Sequence, residues 1–389
     1  MRRLRLRRLV IPSVAGLLFA LLNVPAALAQ PANDDFDTPT VISALPFADS
    51  ISTVDATTAG DDPFCNSSEH TVWYSFTPTR DMQIRADTSS SDYDTNLGVF
   101  TGPRGNLSQV ACAFFPPQVT FNAAANTTYF FMVGSTFGVP GGNLVFNLTG
   151  PPANDELGGA TPLTLNTPVT QDTTLATSAP TDPTDCVFGA THNTVWFSFT
   201  ATASQPLNLD RSGSNYGGRS AVLTDLGSGP VLIGCGFGDG LRFDATAGRT
   251  YFFMDSGFEE GGGQLQLTLR PGIIMTVTAD QTGTVSRSGT AVVSGTLACN
   301  PASPPQGGAG SPTLDIELRQ KISKTLVIQG HNFLEIPCPT TPTAWSVTII
   351  GDNGPFRKGR AEVFVSGHGC DQVGCANPEV RQSVRLNWE

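Results

Sequence analysis

The chain has 389 residues, with 22 Lys or Arg against 33 Asp or Glu and a formal net charge of −11. Only 14% of residues are charged, while Gly (41) and Pro (29) are abundant. That composition favours strands joined by turns over helices, and no long Ala/Leu/Glu/Lys helical pattern follows residue 29.

Residues 1–29 read as a secretory signal peptide. Arg2, Arg3, Arg5, Arg7 and Arg8 precede a short apolar run, Val14 to Leu22, and Ala27-Leu28-Ala29 supplies a small-x-small cleavage signature. The run is too short to span a bilayer, and no later stretch is long and apolar enough to do so. The expected protein is secreted and not inserted in a membrane. Without this segment the chain holds 17 basic and 33 acidic residues, net −16. All of that excess lies in 30–272, which contains no lysine. Such a surface repels nucleic acid and anionic membranes and suits solubility, cations or a basic partner.

The sequence then repeats itself. "PANDDF" (31–36) returns as "PANDEL" (152–157), and "HTVWYSFT" (70–77) as "NTVWFSFT" (193–200). "VTFNAAANTTYFFMVG" (119–134) returns as "LRFDATAGRTYFFMDS" (241–256). The offsets are 121 to 123 residues, so two modules are expected, 30–150 and 151–272. That period is long enough for each unit to hold its own core.

Within each module the apolar period is two. Val72, Tyr74 and Phe76 share one face of a strand with Trp73 on the other, which predicts a strand covered on both faces. Trp73 and Trp196 are therefore read as core rather than as sugar-stacking platforms. Ile84 and Ala86, and Leu207 and Leu209 in the second copy, alternate with polar residues and predict strands with one wet face. Asn126 and Gly248 mark one shared tight turn of positive φ. "PGGN" (140–143) and "EGGG" (260–263) read as hairpins before the last strand. The whole pattern is that of antiparallel β-sandwiches. The repeat also pairs the cysteines: Cys65 with Cys112, and Cys186 with Cys235. Each bridge closes a loop worth about 4 kcal/mol of chain entropy.

The tail, 273–389, does not align with the modules. It alternates as short strands and is read as an immunoglobulin-like sandwich. "WSVTIIGDNGPFRKGRAEVFVSG" (345–367) reads as a hairpin around Asn353-Gly354, and 300–312 as a mobile loop. Cys299 is expected to bridge Cys338. Cys370 and Cys375 suit a local staple, because His368, Cys370 and Cys375 lack zinc-knuckle spacing.

The quoted pieces resemble the bacterial pre-peptidase C-terminal domain, in particular "PANDDF", "VWYSFT", "SDYDTNLGVFTG", the Thr-Tyr-Phe-Phe turn and the closing "LVFNLTG". The resemblance covers both modules and is sharper in the first. It implies two tandem jelly-roll-like β-sandwiches of the kind found beside secreted peptidases. It also implies a non-catalytic role in binding substrate or surface and a bacterial source, although no peptidase domain is present. The tail is similar to small secreted actinobacterial domains of unknown function, and its Cys-x4-Cys loop to the neocarzinostatin-type fold.

Few residues suggest chemistry. No Gly-x-Ser-x-Gly elbow and no His-Glu-x-x-His motif occurs. The four histidines are His70, His192, His331 and His368; His70 and His192 precede equivalent strands and suggest strand-edge roles. A calcium site is readable at Asp92, Asp94 and Asn96, alternating oxygen donors in "DYDTN", with Asp34 and Asp35 as further ligands. Leu97 and Pro103 break the EF-hand pattern, and a hydrogen-bonded turn competes with the metal reading. The second module offers Asn215, Gly217 and Arg219 there, so the site is not shared. Sequons at Asn66, Asn106, Asn126 and Asn147 are idle in a bacterium. The expectation is a monomeric, secreted, non-enzymatic binding protein for extracellular protein, matrix polymer or cell envelope. A hydrolase, a peptidase accessory and a plain spacer are the alternatives.

Overall fold

A computed structural model describes residues 30–389, apart from 67, 137, 185, 187–190, 226–228, 259–260, 301–311 and 372. The expected signal peptide and nearly all of the 300–312 loop lie outside the described residues. The fold is all-β; the helical content among the described residues is a single 3-10 turn, Leu157–Gly159.

The first module contributes β1 (Thr40–Ile42), β2 (Phe47–Ser52), β3 (Glu69–Phe76), β4 (Met82–Asp87), β5 (Thr95–Thr101), β6 (Ser108–Ala113), β7 (Gln118–Ala123), β8 (Tyr129–Ser135) and β9 (Asn143–Thr149). They form two sheets, β1-β3-β8-β5-β6 and β2-β9-β4-β7. Period-two alternation sends Val72, Tyr74, Leu97, Phe131 and Val133 inward from one sheet. Ile84, Ala86, Leu144, Phe146 and Leu148 meet them from the other. Tyr74 stacks on Phe146 with ring centroids 4.2 Å apart. The outer face of β3 is covered as well. Trp73 is fully buried among Phe36, Phe100, Met132 and the Cys65–Cys112 disulfide, which explains the two-faced apolar run.

The second module repeats this with β10 (Thr161–Pro162), β11 (Val169–Asp172), β12 (His192–Thr200), β13 (Gln205–Asp210), β14 (Gly218–Asp225), β15 (Pro230–Phe237), β16 (Gly240–Ala245), β17 (Thr250–Gly257) and β18 (Gln264–Pro271). Its strands keep the same neighbours, and a single Phe237–Gly240 pair joins the two layers into one nine-stranded path. The tail supplies β19 (Ile274–Val277), β20 (Thr282–Val285), β21 (Ala291–Asn300), β22 (Thr313–Lys321), β23 (Val327–Glu335), β24 (Thr343–Ile349), β25 (Gly359–Cys370), β26 (Cys375–Ala376) and β27 (Glu379–Trp388). Each of the three large cores draws its residues from one segment alone. The four disulfides are Cys65–Cys112, Cys186–Cys235, Cys299–Cys338 and Cys370–Cys375.

The duplicated "AND" motif is structural. Asn33 donates its amide to the Trp73 carbonyl, and Asn154 does the same to Trp196, each at 3.0 Å. Asp34 accepts from the N–H and hydroxyl of Thr57, and Asp155 from those of Thr177. Each entry segment is thus pinned to the covered strand of its own sheet. The shared turn also holds: Asn126 has φ 59° and Gly248 φ 79°.

Several local readings need correction. β9 pairs with β2 and β4, not with β8, so "PGGN" is a passage between sheets rather than a hairpin. Its glycines are needed because a Cβ on Gly141 would strike the Thr53 carbonyl. β24 pairs with β21 while β25 pairs with β22 and β27, so 345–367 is no hairpin either. Asn353 instead bonds the backbone of β23, donating to Val327 O and accepting from Gln329 N–H. His70 matches Asn193, not His192. Both sit in a β-bulge with positive φ (51° and 52°), and both bond the carbonyl of Ala56 or its counterpart Ala176.

Candidate functional site

The modules differ at one corner of the sandwich. In the first module two crossovers run side by side there. Residues 88–94 carry the chain from β4 to β5, and 114–117 from β6 to β7. Thr88 ties them together, donating its N–H to Pro117 O at 3.1 Å and sharing a 2.7 Å hydroxyl bond with Thr95. Between them lies a pocket of about 380 Å³, lined by Ser89, Ser91, Asp92, Asp94, Phe114 and Phe115 among others. Phe114 is 54% and Phe115 88% exposed, unusual for adjacent aromatics that bury nothing of the core.

Asp92 and Asp94, expected as metal ligands, are exposed at this pocket. One Asp92 oxygen accepts the Asn143 N–H at 2.7 Å, fixing the loop to the start of β9. Asn96 does not join them: it is buried in β5, its amide donating to Asn66 O and Ser135 O, and its Oδ1 has no hydrogen-bond partner. Asp34 is committed to Thr57. Asp35 is committed to Arg104, which also holds Asp37 and Asp61. Burial pushes the Tyr93 hydroxyl above its ordinary value, and that hydroxyl accepts from Thr53.

The second module fills the same corner with charge. Across β14 and β17, Ser220 faces Asp255 where the first module places Leu97 opposite Val133. Arg211 takes the place of Thr88. It reaches Asp255 through Nε (3.0 Å) and Nη2 (3.4 Å) and donates to Gly238 O (3.1 Å). Tyr216 and Ser220 complete the shell around Asp255. Burial pushes Asp255 upward against the pull of Arg211 and the two hydroxyls. The crossover after β15 shrinks to two residues, Gly238 and Asp239. That two-residue crossover carries no aromatic in the place of Phe114 and Phe115.

Two further carboxylates escaped the sequence reading. Asp62 accepts from Ala59 N–H and the Thr71 hydroxyl, and Asp182 from Ala179 N–H and the Thr194 hydroxyl. Burial raises both above the ordinary Asp value. The doubled "Asp-Pro" (62–63 and 182–183) was the available signal. They brace the loop before β3 and β12.

The tail's expected staple does more than close itself. Asp371, inside the Cys370–Cys375 loop, accepts from the Asn208 amide (2.6 Å) and from Ile273 N–H (3.1 Å). Its other oxygen accepts from Val373 and Gly374 N–H. Arg242 of the second module donates to Ile273 O at 2.7 Å. Burial alone would raise Asp371, but the N–H groups of Gly374, Val373 and Ile273 and the Asn208 amide outweigh it and hold it below the ordinary value. The expected wet face of β13 is consequently dry at Asn208. His368, Cys370 and Cys375 do cluster, but both sulfurs are in the disulfide, which leaves the imidazole as the one ordinary ligand.

No protein family matches the sequence, and no curated protein matches it. Among solved structures, a β-glucuronidase from Parabacteroides merdae is 9% identical with a TM-score of 0.20, over 50% of this chain and 27% of that one. The CUB1-EGF-CUB2 domain of human MASP-1/3 is 10% identical with a TM-score of 0.17, over 58% and 99%. A GH2 β-galacturonidase from Eisenbergiella tayi is 10% identical with a TM-score of 0.18, over 76% and 43%. The chain thus spans about a quarter of the glucuronidase. Similarity of this kind does not extend to chemistry. No helix among the described residues is long and apolar enough to cross a membrane.

Proposed function

We propose that this is a secreted, non-catalytic binding protein built on tandem sandwiches of the pre-peptidase C-terminal type. Its ligand site is the corner pocket of the first module, and its ligand a basic segment of an extracellular protein. One observation carries the reading: Phe114 and Phe115 stand exposed beside Asp92 and Asp94 in one pocket. Aromatic faces next to carboxylates suit an arginine or lysine side chain, by cation–π attraction and ion pairing together. The surrounding charge supports it, since the first module holds twelve acidic and three basic residues. Such a field steers cations inward and repels anions. Four disulfides fit an oxidising compartment.

The test is titration of the whole protein with an arginine-rich peptide and with its glutamate-substituted counterpart. Phe115→Ala should weaken the basic peptide about 2- to 30-fold, from about 0.5–2 kcal/mol of cation–π energy. Asp94→Asn should weaken it further and flatten its salt dependence. Equal affinity for the acidic peptide, or an unchanged affinity in Phe115→Ala, would sink the proposal.

A further inference from the structure

The tail is neutral in sum, with nine basic and nine acidic residues, yet strand pairing sets some of its cations directly beside one another. β25 and β27 pair so that Arg360 lies directly opposite Arg385. β22 and β25 pair Arg319 with Glu362, and continuing that register by two residues brings Lys321 alongside Arg360. Lys321, Arg360 and Arg385 are all exposed, while the alternate residues Gln320, Ala361 and Val384 are buried. The three cations therefore form one rung across three adjacent strands, about 10 Å from end to end at the usual strand spacing. The Gln320 side chain fixes a fourth beside it, donating to Arg357 O at 2.6 Å and accepting from Arg357 N–H at 2.7 Å. Lys358 follows. Among the described residues none of these five side chains forms an ion pair. The nearby Arg319 is the one that takes a carboxylate, that of Glu317.

Like charges directly opposite on neighbouring strands destabilise a sheet. A single acidic residue at 360 or 385 would turn repulsion into attraction, yet both positions carry arginine. We propose that this rung is a docking surface for a linear polyanionic polysaccharide bearing carboxylate or sulfate groups. Planar guanidinium groups bind such oxyanions bidentately. A flexible chain can lie across the rung alone. Duplex DNA and an anionic bilayer are stiff and extended, and would approach a chain whose residues 30–389 carry a net charge of −16. This surface is separate from the corner pocket and takes a ligand of opposite sign.

The experiment is binding of the full chain to dextran sulfate, with neutral dextran, duplex DNA and anionic vesicles in parallel. Dextran sulfate should be preferred, and three neutralised charges should weaken binding about 20-fold between about 50 and 200 mM salt. Arg360→Glu/Arg385→Glu should bind at least about 10-fold less well, losing two of those contacts. Arg360→Gln/Arg385→Gln should also bind less well while its unfolding midpoint equals or exceeds that of the parent, which separates lost binding from lost folding. Dextran sulfate held no better than dextran, or undiminished affinity in the Glu pair, would overturn the proposal. Equal affinity for DNA or vesicles would overturn the choice of polysaccharide.

Discussion

The two versions of the sandwich corner allow a stability argument to be tested inside one chain. Arg211→Ala leaves Asp255, 1% exposed, without its cation. Breaking a buried pair from one side costs about 3–5 kcal/mol, because the remaining charge has no water. Replacing the whole pair by fitted apolar groups is instead about neutral, or stabilising by about 1–4 kcal/mol. The first module supplies the fitted set: Thr88, Leu97 and Val133 stand where Arg211, Ser220 and Asp255 stand in the second. The triple variant Arg211→Thr/Ser220→Leu/Asp255→Val should therefore be at least as stable as the parent. Tyr216 loses Asp255, but Thr173 occupies the place of Thr53, which already serves Tyr93 in the first module. Hydrogen exchange of peptides covering β14 and β17 reads this module alone. Arg211→Ala should speed exchange there about 150- to 5,000-fold, and the triple variant should not. A triple variant as damaged as the single one would show that the network does something packing cannot replace.

Two further outcomes are expected. Asp62 and Asp182 hold their protons more tightly folded than unfolded, so their share of stability grows as pH falls through their raised folded values and levels off below the ordinary 3.8. Asp371 has the opposite sign: its share is present above 3.8 and is lost as pH falls through its lowered folded value. Unfolding midpoints followed from about pH 7 down to about pH 3 should lose the first gain in Asp62→Asn/Asp182→Asn, and an unchanged profile would contradict the burial argument. Asp371→Ala leaves the buried Asn208 amide unpaired, a cost of about 1–3 kcal/mol. Proteolysis around residues 272–274 should quicken about 5- to 150-fold as the tail lets go, and an unaltered cleavage rate would deny that Asp371 holds the joint.

What the sequence disclosed was whatever repeats or alternates. Val72-Trp73-Tyr74 and its second copy announced a covered strand, and the matched cysteines announced their bridges. Several failures share one cause: chain neighbours need not be spatial neighbours. "PGGN" looks like a hairpin until β9 is seen to join β2 and β4, and Asn208 looks wet until Asp371 covers it. The candidate site was half visible. Asp92 and Asp94 attracted attention as oxygen donors, but their aromatic neighbours arrive from a crossover some twenty residues later. The signal lay in a length difference between the copies, Phe114 to Pro117 against Gly238-Asp239. The cationic rung was invisible to charge counting, because strand register alone gathers Lys321, Arg360 and Arg385.

The grip of the Cys370–Cys375 loop on Asn208 and Ile273 bears on a hazard created by the charges themselves. A chain with an acidic half and a basic rung can capture itself. On a slack linker the two would meet at an effective concentration in the millimolar range and quench each other before any ligand arrived. By locking the joint from both sides, the small disulfide loop removes the rotations that self-capture needs. The acidic modules and the basic rung are thereby held at one fixed spacing, set by the small Cys370–Cys375 loop.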